Sequence, residues 1–160
     1  MSEQNEGYKV GQNAPDFTLP DSDGNAWQLS AQRGKVVALL FYPGDETPVC
    51  TKQLCSVRDR WADYHATGAE VVGVSTDTSA SHRKFADNHS LPLRLLADVD
   101  AQVSKLYKMQ SIIPGQAARG VVIIDGAGVV RYRYLRALVG LVIPPKDDET
   151  IAAIKAVQRG

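Results

Sequence analysis

Apolar residues fall along this chain in short unbroken runs, and those runs alternate with stretches whose apolar positions have helical spacing. Lys35 to Tyr42 (KVVALLFY) is continuous, β-branched and aromatic at its ends, and predicts a strand covered on both faces. Glu70 to Ser75 (EVVGVS) predicts a second. Between them, from Cys50 to about Ala66, the residues Leu54, Val57, Trp61 and Tyr64 recur at three and four, which predicts one amphipathic helix stopping near Gly68. Thr78 opens a further helical stretch through Phe85 and Ala86, LPLRLLAD at 91–98 suggests a short strand, and a helix follows near 100–108.

Toward the C-terminus, VVIID at 121–125 and VVRYRYL at 129–135 flank Gly126-Ala127-Gly128 and read as a hairpin. Asp147-Asp148 is placed to cap a last helix with Ile151, Ile154 and Val157 near one face. Ahead of the first buried strand, APDFTLPDSDGNAWQL predicts two short extended pieces around the turn Asp21-Ser22-Asp23-Gly24-Asn25. Strand, helix, strand, helix, then a hairpin and a helix describe an α/β sandwich with a mixed sheet. The segment Leu135 to Lys146, apolar and ending in two prolines, fits neither a strand nor a helix.

Composition narrows the functional classes. The 160 residues form one expected domain, 1–160, with a flexible start over 1–12, and are enough to bury a core without disulfides or structural metal. Eighteen basic and eighteen acidic residues balance, and no like-charge run marks a nucleic-acid or lipid-binding face. No apolar run approaches the roughly 20 residues that span a bilayer. The polar N-terminus MSEQNEGYKVGQ does not read as a secretory signal, so a cytoplasmic location is expected.

The chain has two cysteines, Cys50 and Cys55. Thr47 and Pro48 have the chemistry of a helix N-cap and first helical position, which puts Cys50 in the first turn. Free backbone N–H groups and the positive end of the helix dipole favour a thiolate there, although a single cysteine is ordinarily a small buried hydrophobe. Cys55 lies about 140° around the helix and roughly 7.5 Å along it. That spacing disfavours a permanent disulfide, whose Cα atoms stay within roughly 7 Å, and allows a transient one if the first turns unwind. Zinc would need two further ligands, and His65, His82 and His89 make no zinc spacing. The histidines read as surface or cap residues; no metal or cofactor is expected.

Pro43, Thr47 and Cys50 fit the pattern P-x-x-x-[TS]-x-x-C, with FYP before it and CT after it. In these residues the chain resembles the peroxiredoxins, and the second cysteine five residues on resembles their bacterioferritin comigratory protein, or peroxiredoxin Q, group. Arg119, just before VVIID, stands where that family carries an arginine into its active site. The resemblance implies a thioredoxin-like fold, a mixed central sheet flanked by helices with an N-terminal β-hairpin extension. It further implies a thiol peroxidase acting on hydrogen peroxide and organic hydroperoxides. Cys50 would be the nucleophile and Cys55 the resolving thiol. Thr47 would bond thiolate and peroxide, Arg119 would supply positive charge, and Pro43 would shield the sulfur. Thioredoxin or a similar dithiol would be the reductant, and the chain a monomer or weak homodimer.

The alternative is a redox sensor or thiol-disulfide adaptor with little turnover. The sequence departs from the family pattern at Gly44, where lysine is common, and at Val49, where glycine is common. Neither a phosphate-binding glycine loop nor a serine-hydrolase elbow is present.

Overall fold

The computed structural model describes residues 8–135 and 143–160. The first strands, β1 (Thr18–Pro20) and β2 (Ala26–Gln28), pair antiparallel around the expected turn. Asp21 shapes that turn by accepting from the backbone N–H groups of Asp23 and Asn25, both at 2.9 Å. Next come β3 (Val37–Phe41), α1 (Pro48–Asp59), α2 (Trp61–Ala66), β4 (Glu70–Ser75) and α3 (Ser79–His89). The remaining elements are β5 (Arg94–Ala97), α4 (Gln102–Leu106), β6 (Gly120–Ile124), β7 (Val130–Leu135) and α5 (Asp147–Arg159).

Five strands form one mixed sheet in the order β5-β4-β3-β6-β7. β3 is central and buried along its whole length, which explains its unbroken apolar run. It pairs parallel with β4 and antiparallel with β6, so Phe41 at its end lies opposite Gly120 at the start of β6. Alternation of side chains divides the core in two. Val37, Leu39 and Phe41 face a cluster with the hairpin's Phe17 and Trp27 and with Tyr107 and Met109. Ala38, Leu40 and Tyr42 face the other, filled by Cys50, Leu54 and Val57 of α1, Tyr64, Phe85, and Ile151 and Ile154 of α5.

Two expectations are corrected. The single helix over Cys50 to Ala66 is two, broken at Arg60, whose backbone (φ −103, ψ 15) leaves the helical region. Asp147 and Asp148 do not precede α5 but form its first turn, and Lys146 is the N-cap. There the Asp147 carboxylate accepts from Tyr64 Oη at 2.6 Å and from the Ser56 hydroxyl, so the start of α5 is bonded to both α1 and α2. Burial, with the Asp147 bond second, holds the Tyr64 phenol far above its usual pKa, so it stays a donor. In the stretch 1–12, Gly11 N–H donates to Val130 C=O at 2.7 Å and Val130 N–H to Gln12 C=O at 2.9 Å. That end of the stretch is therefore fastened to β7. Most of the apolar segment 137–143 lies outside the described residues.

The β6–β7 turn rests on Asp125, whose carboxylate accepts from the N–H groups of Ala127 and Val129 and pairs with Arg131. Partial burial opposes ionisation, but the bonds from Val129, Arg131 and Ala127 win and hold the carboxyl below the usual range. A depressed folded-state value means stability present above the unfolded pKa and lost as pH falls through the folded one. Asp125→Ala is therefore expected to cost about 1 kcal/mol at neutral pH. The gap from wild type should close in acid below the normal carboxylate range, read from melting curves across pH.

Candidate active site

The site forms where β3 ends and β6 begins. After Tyr42 the chain turns through Pro43 and Gly44, and Thr47 takes the extended N-cap conformation (φ −78, ψ 149) with Pro48 at the first helical position. The Thr47 hydroxyl does not cap the helix, contrary to expectation. It donates back to the Gly44 carbonyl at 3.1 Å and closes the turn. The first bond of the helix runs from Thr51 N–H to Thr47 C=O at 2.8 Å. The N–H groups of Val49 and Cys50 thus lie ahead of the helical ladder, at the positive end of the dipole.

Cys50 is the third residue of α1 and has no solvent exposure. Arg119, immediately before β6, is 3% exposed. Its Nη1 donates to Cys50 Sγ at 3.3 Å and to Gln53 Oε1. Sixty-nine residues apart in sequence, cysteine and arginine meet because the β3–β6 register brings their neighbours together. At the start of β6 there is no room for a side chain at Gly120: a Cβ there would fall 2.6 Å from the Tyr134 carbonyl and 2.8 Å from Met109 Sδ.

Among the other expected residues, Pro43 is half-buried beside the turn and Thr47 is exposed. Cys55 lies further along α1, partly exposed, and both cysteines are free thiols. A side chain at Gly44 would make only ordinary contacts, 3.7 Å to Asp77 and 3.8 Å to Thr47. A crevice of about 330 Å³, lined by Lys52, Gln53, Ser56, Arg60, Pro145 and Asp147 among others, opens beside the site. A larger cleft near Trp61, His65 and Arg94 includes neither Cys50 nor Arg119 in its lining.

Residues 10–133 match the AhpC/TSA family. The chain belongs to that family. It is 46% identical over 121 residues to the chloroplastic peroxiredoxin Q of Triticum aestivum, covering 75% of this chain and 56% of that protein. With the chloroplastic peroxiredoxin Q of Arabidopsis thaliana it shares 43% over 148 residues, 91% of this chain and 67% of that one. Among solved structures, the peroxidoxin BcpB from Mycobacterium tuberculosis superposes with a TM-score of 0.79 at 28% identity, over 92% of this chain and 97% of that one. The chain spans little more than half the length of several curated relatives it matches. These likenesses place it among the peroxiredoxins, in the peroxiredoxin Q group, with their thioredoxin-like fold.

Two features of this peroxiredoxin's site escaped the sequence reading. Gln53 is buried and holds the Arg119 guanidinium. Its signal was a polar residue one helical turn after Cys50, on the same buried stripe as Leu54 and Val57. His82 is the other: far from being a surface residue, it is fully buried. Its Nδ1 lies 2.8 Å from Asp45 Oδ2 and its Nε2 2.9 Å from the Leu96 carbonyl. Tyr42 Oη and Ser81 Oγ also donate to Asp45, at 2.7 and 2.8 Å, and Asp45 N–H donates to Asp77. Burial first, then the Asp45 charge, drives the Tyr42 phenol well above its usual pKa.

Asp45, Asp77 and His82 are also the group among the described residues with three ligand atoms within 4.8 Å of one another. Their atoms are engaged with Tyr42, Ser75, Ser81 and Leu96, so here the cluster is a network that fixes the turn. The next residue, Glu46, adopts φ 60. Its carboxylate is held by Asn88 at 2.7 Å and His89 at 2.9 Å. Those bonds, His89 foremost, keep its carboxyl below the usual range.

This geometry gives the two thiols opposite accessibility. A bulky maleimide is expected to label Cys55 first in the native reduced protein, and both cysteines at similar rates once denatured. Peptide mass mapping of a labelling time course checks this; native labelling led by Cys50 would contradict its burial.

Proposed function

We propose that this protein is a thiol-dependent peroxidase that reduces hydrogen peroxide and organic hydroperoxides through Cys50. The observation that supports this most is the buried contact between the Arg119 guanidinium and Cys50 Sγ in the first turn of α1. Membership of the peroxiredoxin Q group supports the same reading.

In this mechanism the Cys50 thiolate attacks one peroxide oxygen, the O–O bond breaks, and the departing alkoxide or hydroxide takes up a proton. Cys50 is left as a sulfenic acid. Arg119, with the N–H groups of Val49 and Cys50, is placed to stabilise negative charge on the sulfur and on the reacting oxygens. The turn closed by the Thr47 hydroxyl and Gly44 holds the helix start that presents those amides. Pro43 borders the turn and keeps water from the sulfur. Cys55 then acts as resolving thiol, condensing with the sulfenic acid to form a disulfide and release water. A dithiol reductant of the thioredoxin kind restores both thiols. The protein works in a reducing, cytoplasm-like compartment as a monomer or weak homodimer.

Cys50→Ser is expected to abolish peroxide consumption. Cys55→Ser should keep one fast turnover with hydrogen peroxide and lose thioredoxin-driven cycling. Stopped-flow kinetics coupled to thioredoxin and its reductase separate the cases. Wild-type rates in Cys50→Ser would overturn the nucleophile, and consumption limited to one equivalent per wild-type chain would favour a sensor over an enzyme.

A further inference from the structure

For Cys55 to reach Cys50, α1 must unwind between them, because both sit on one regular helix that places their side chains on different faces. The helix break at Arg60 sets a boundary to that unwinding, since α2 begins beyond it as a separate element with Tyr64 in the core. The Asp147 carboxylate spans this boundary. One oxygen accepts from Tyr64 on the fixed side, and the other accepts from Ser56, the residue next to Cys55, on the side that must move. Tyr64 is 1% exposed, and α5 is seated by Ile151 and Ile154 in the same core cluster, so the carboxylate is anchored where it stands.

From this arrangement we propose that the Ser56–Asp147 bond is a catch on the helix carrying both cysteines. It holds α1 closed and so sets how long Cys50 persists as a sulfenic acid before Cys55 resolves it. The proposal rests on Cys55 being the resolving thiol. The bond exists in the wound helix and is lost as residues 50–56 unwind, so it slows resolution without touching the attack on peroxide. A longer-lived sulfenic acid meets a second peroxide more often; that reaction oxidises the sulfur to sulfinic acid and releases water or an alcohol. Ser56 and Asp147 are thereby positioning residues that divide Cys50 between cycling and inactivation.

The test is rapid mixing of the reduced protein with hydrogen peroxide, followed by tryptophan fluorescence, with sulfinic acid counted by intact mass. In wild type the first phase should scale with peroxide and the second should not. Ser56→Ala is expected to leave the first phase unchanged, speed the second roughly threefold, and reduce sulfinic acid at high peroxide. Alanine is the better helix former, so a change in helix propensity alone would slow the second phase. Asp147→Ala should accelerate it similarly, and the double variant no further, because both remove the same bond. A second phase that is unchanged or slower in Ser56→Ala, which alters only an exposed side chain, overturns the catch and leaves the resolving role of Cys55 standing. A wild type with no second phase, behaving as Cys55→Ser does, overturns the resolving role and the catch together.

Discussion

The antiparallel register of β3 and β6 is the constraint from which the site follows. Because Phe41 sits opposite Gly120, the loop leaving β3 and the residue entering β6 are delivered to the same edge of the sheet. Cys50 follows from the first and Arg119 from the second. The all-apolar strands secure that register, since a slip of one residue would turn the alternate side chains of β3 into the wrong core cluster. Gly120 lets β6 start close against β7, as any Cβ there would press on the neighbouring strand's carbonyl. The meeting of Cys50 and Arg119 thus depends on ordinary sheet packing.

Charge is then placed with economy. A buried guanidinium needs acceptors to replace water, and Gln53 offers a neutral one beside the sulfur. A glutamate there would bring its own negative charge to the arginine and compete with Cys50 for it. On the other side of the turn, carboxylates are used freely, but each is bound: Asp45 by His82, Tyr42 and Ser81, and Glu46 by His89 and Asn88. The turn before α1 is therefore fastened by α3 and the later part of α1 by α5, while between the cysteines Gln53 is tied to Arg119 and Leu54 is packed in the core.

The strands were legible because buried strands read as unbroken apolar runs; Thr47 and Cys50 stood out as a helix start, and Pro43 and Arg119 through their resemblance to the peroxiredoxin pattern. What stayed hidden depended on three-dimensional company. Gln53 lies on a buried stripe, yet its partner, just ahead of β6, is 66 residues away. His82 is polar and gave no local sign that Asp45 and the Leu96 carbonyl would enclose it. The break at Arg60 carries neither proline nor glycine, and the apolar spacing from Val57 to Trp61 and Tyr64 runs through it undisturbed. Thr47 had the composition of a cap, but its hydroxyl bonds the Gly44 carbonyl and makes no cap bond to the helix amides.

Glu46 gives the closed form a particular character. A left-handed backbone at a residue with a Cβ costs about 1–2 kcal/mol, and here it is maintained by side-chain bonds to α3. Glycine would accept the same turn without strain but could not anchor it. The turn therefore resembles a sprung hinge, tensioned in the resting protein and able to relax when its anchors let go. This one position ahead of α1 thus couples backbone strain to the α3 surface, and changing its side chain alters how firmly that turn is held without touching Cys50 or Arg119.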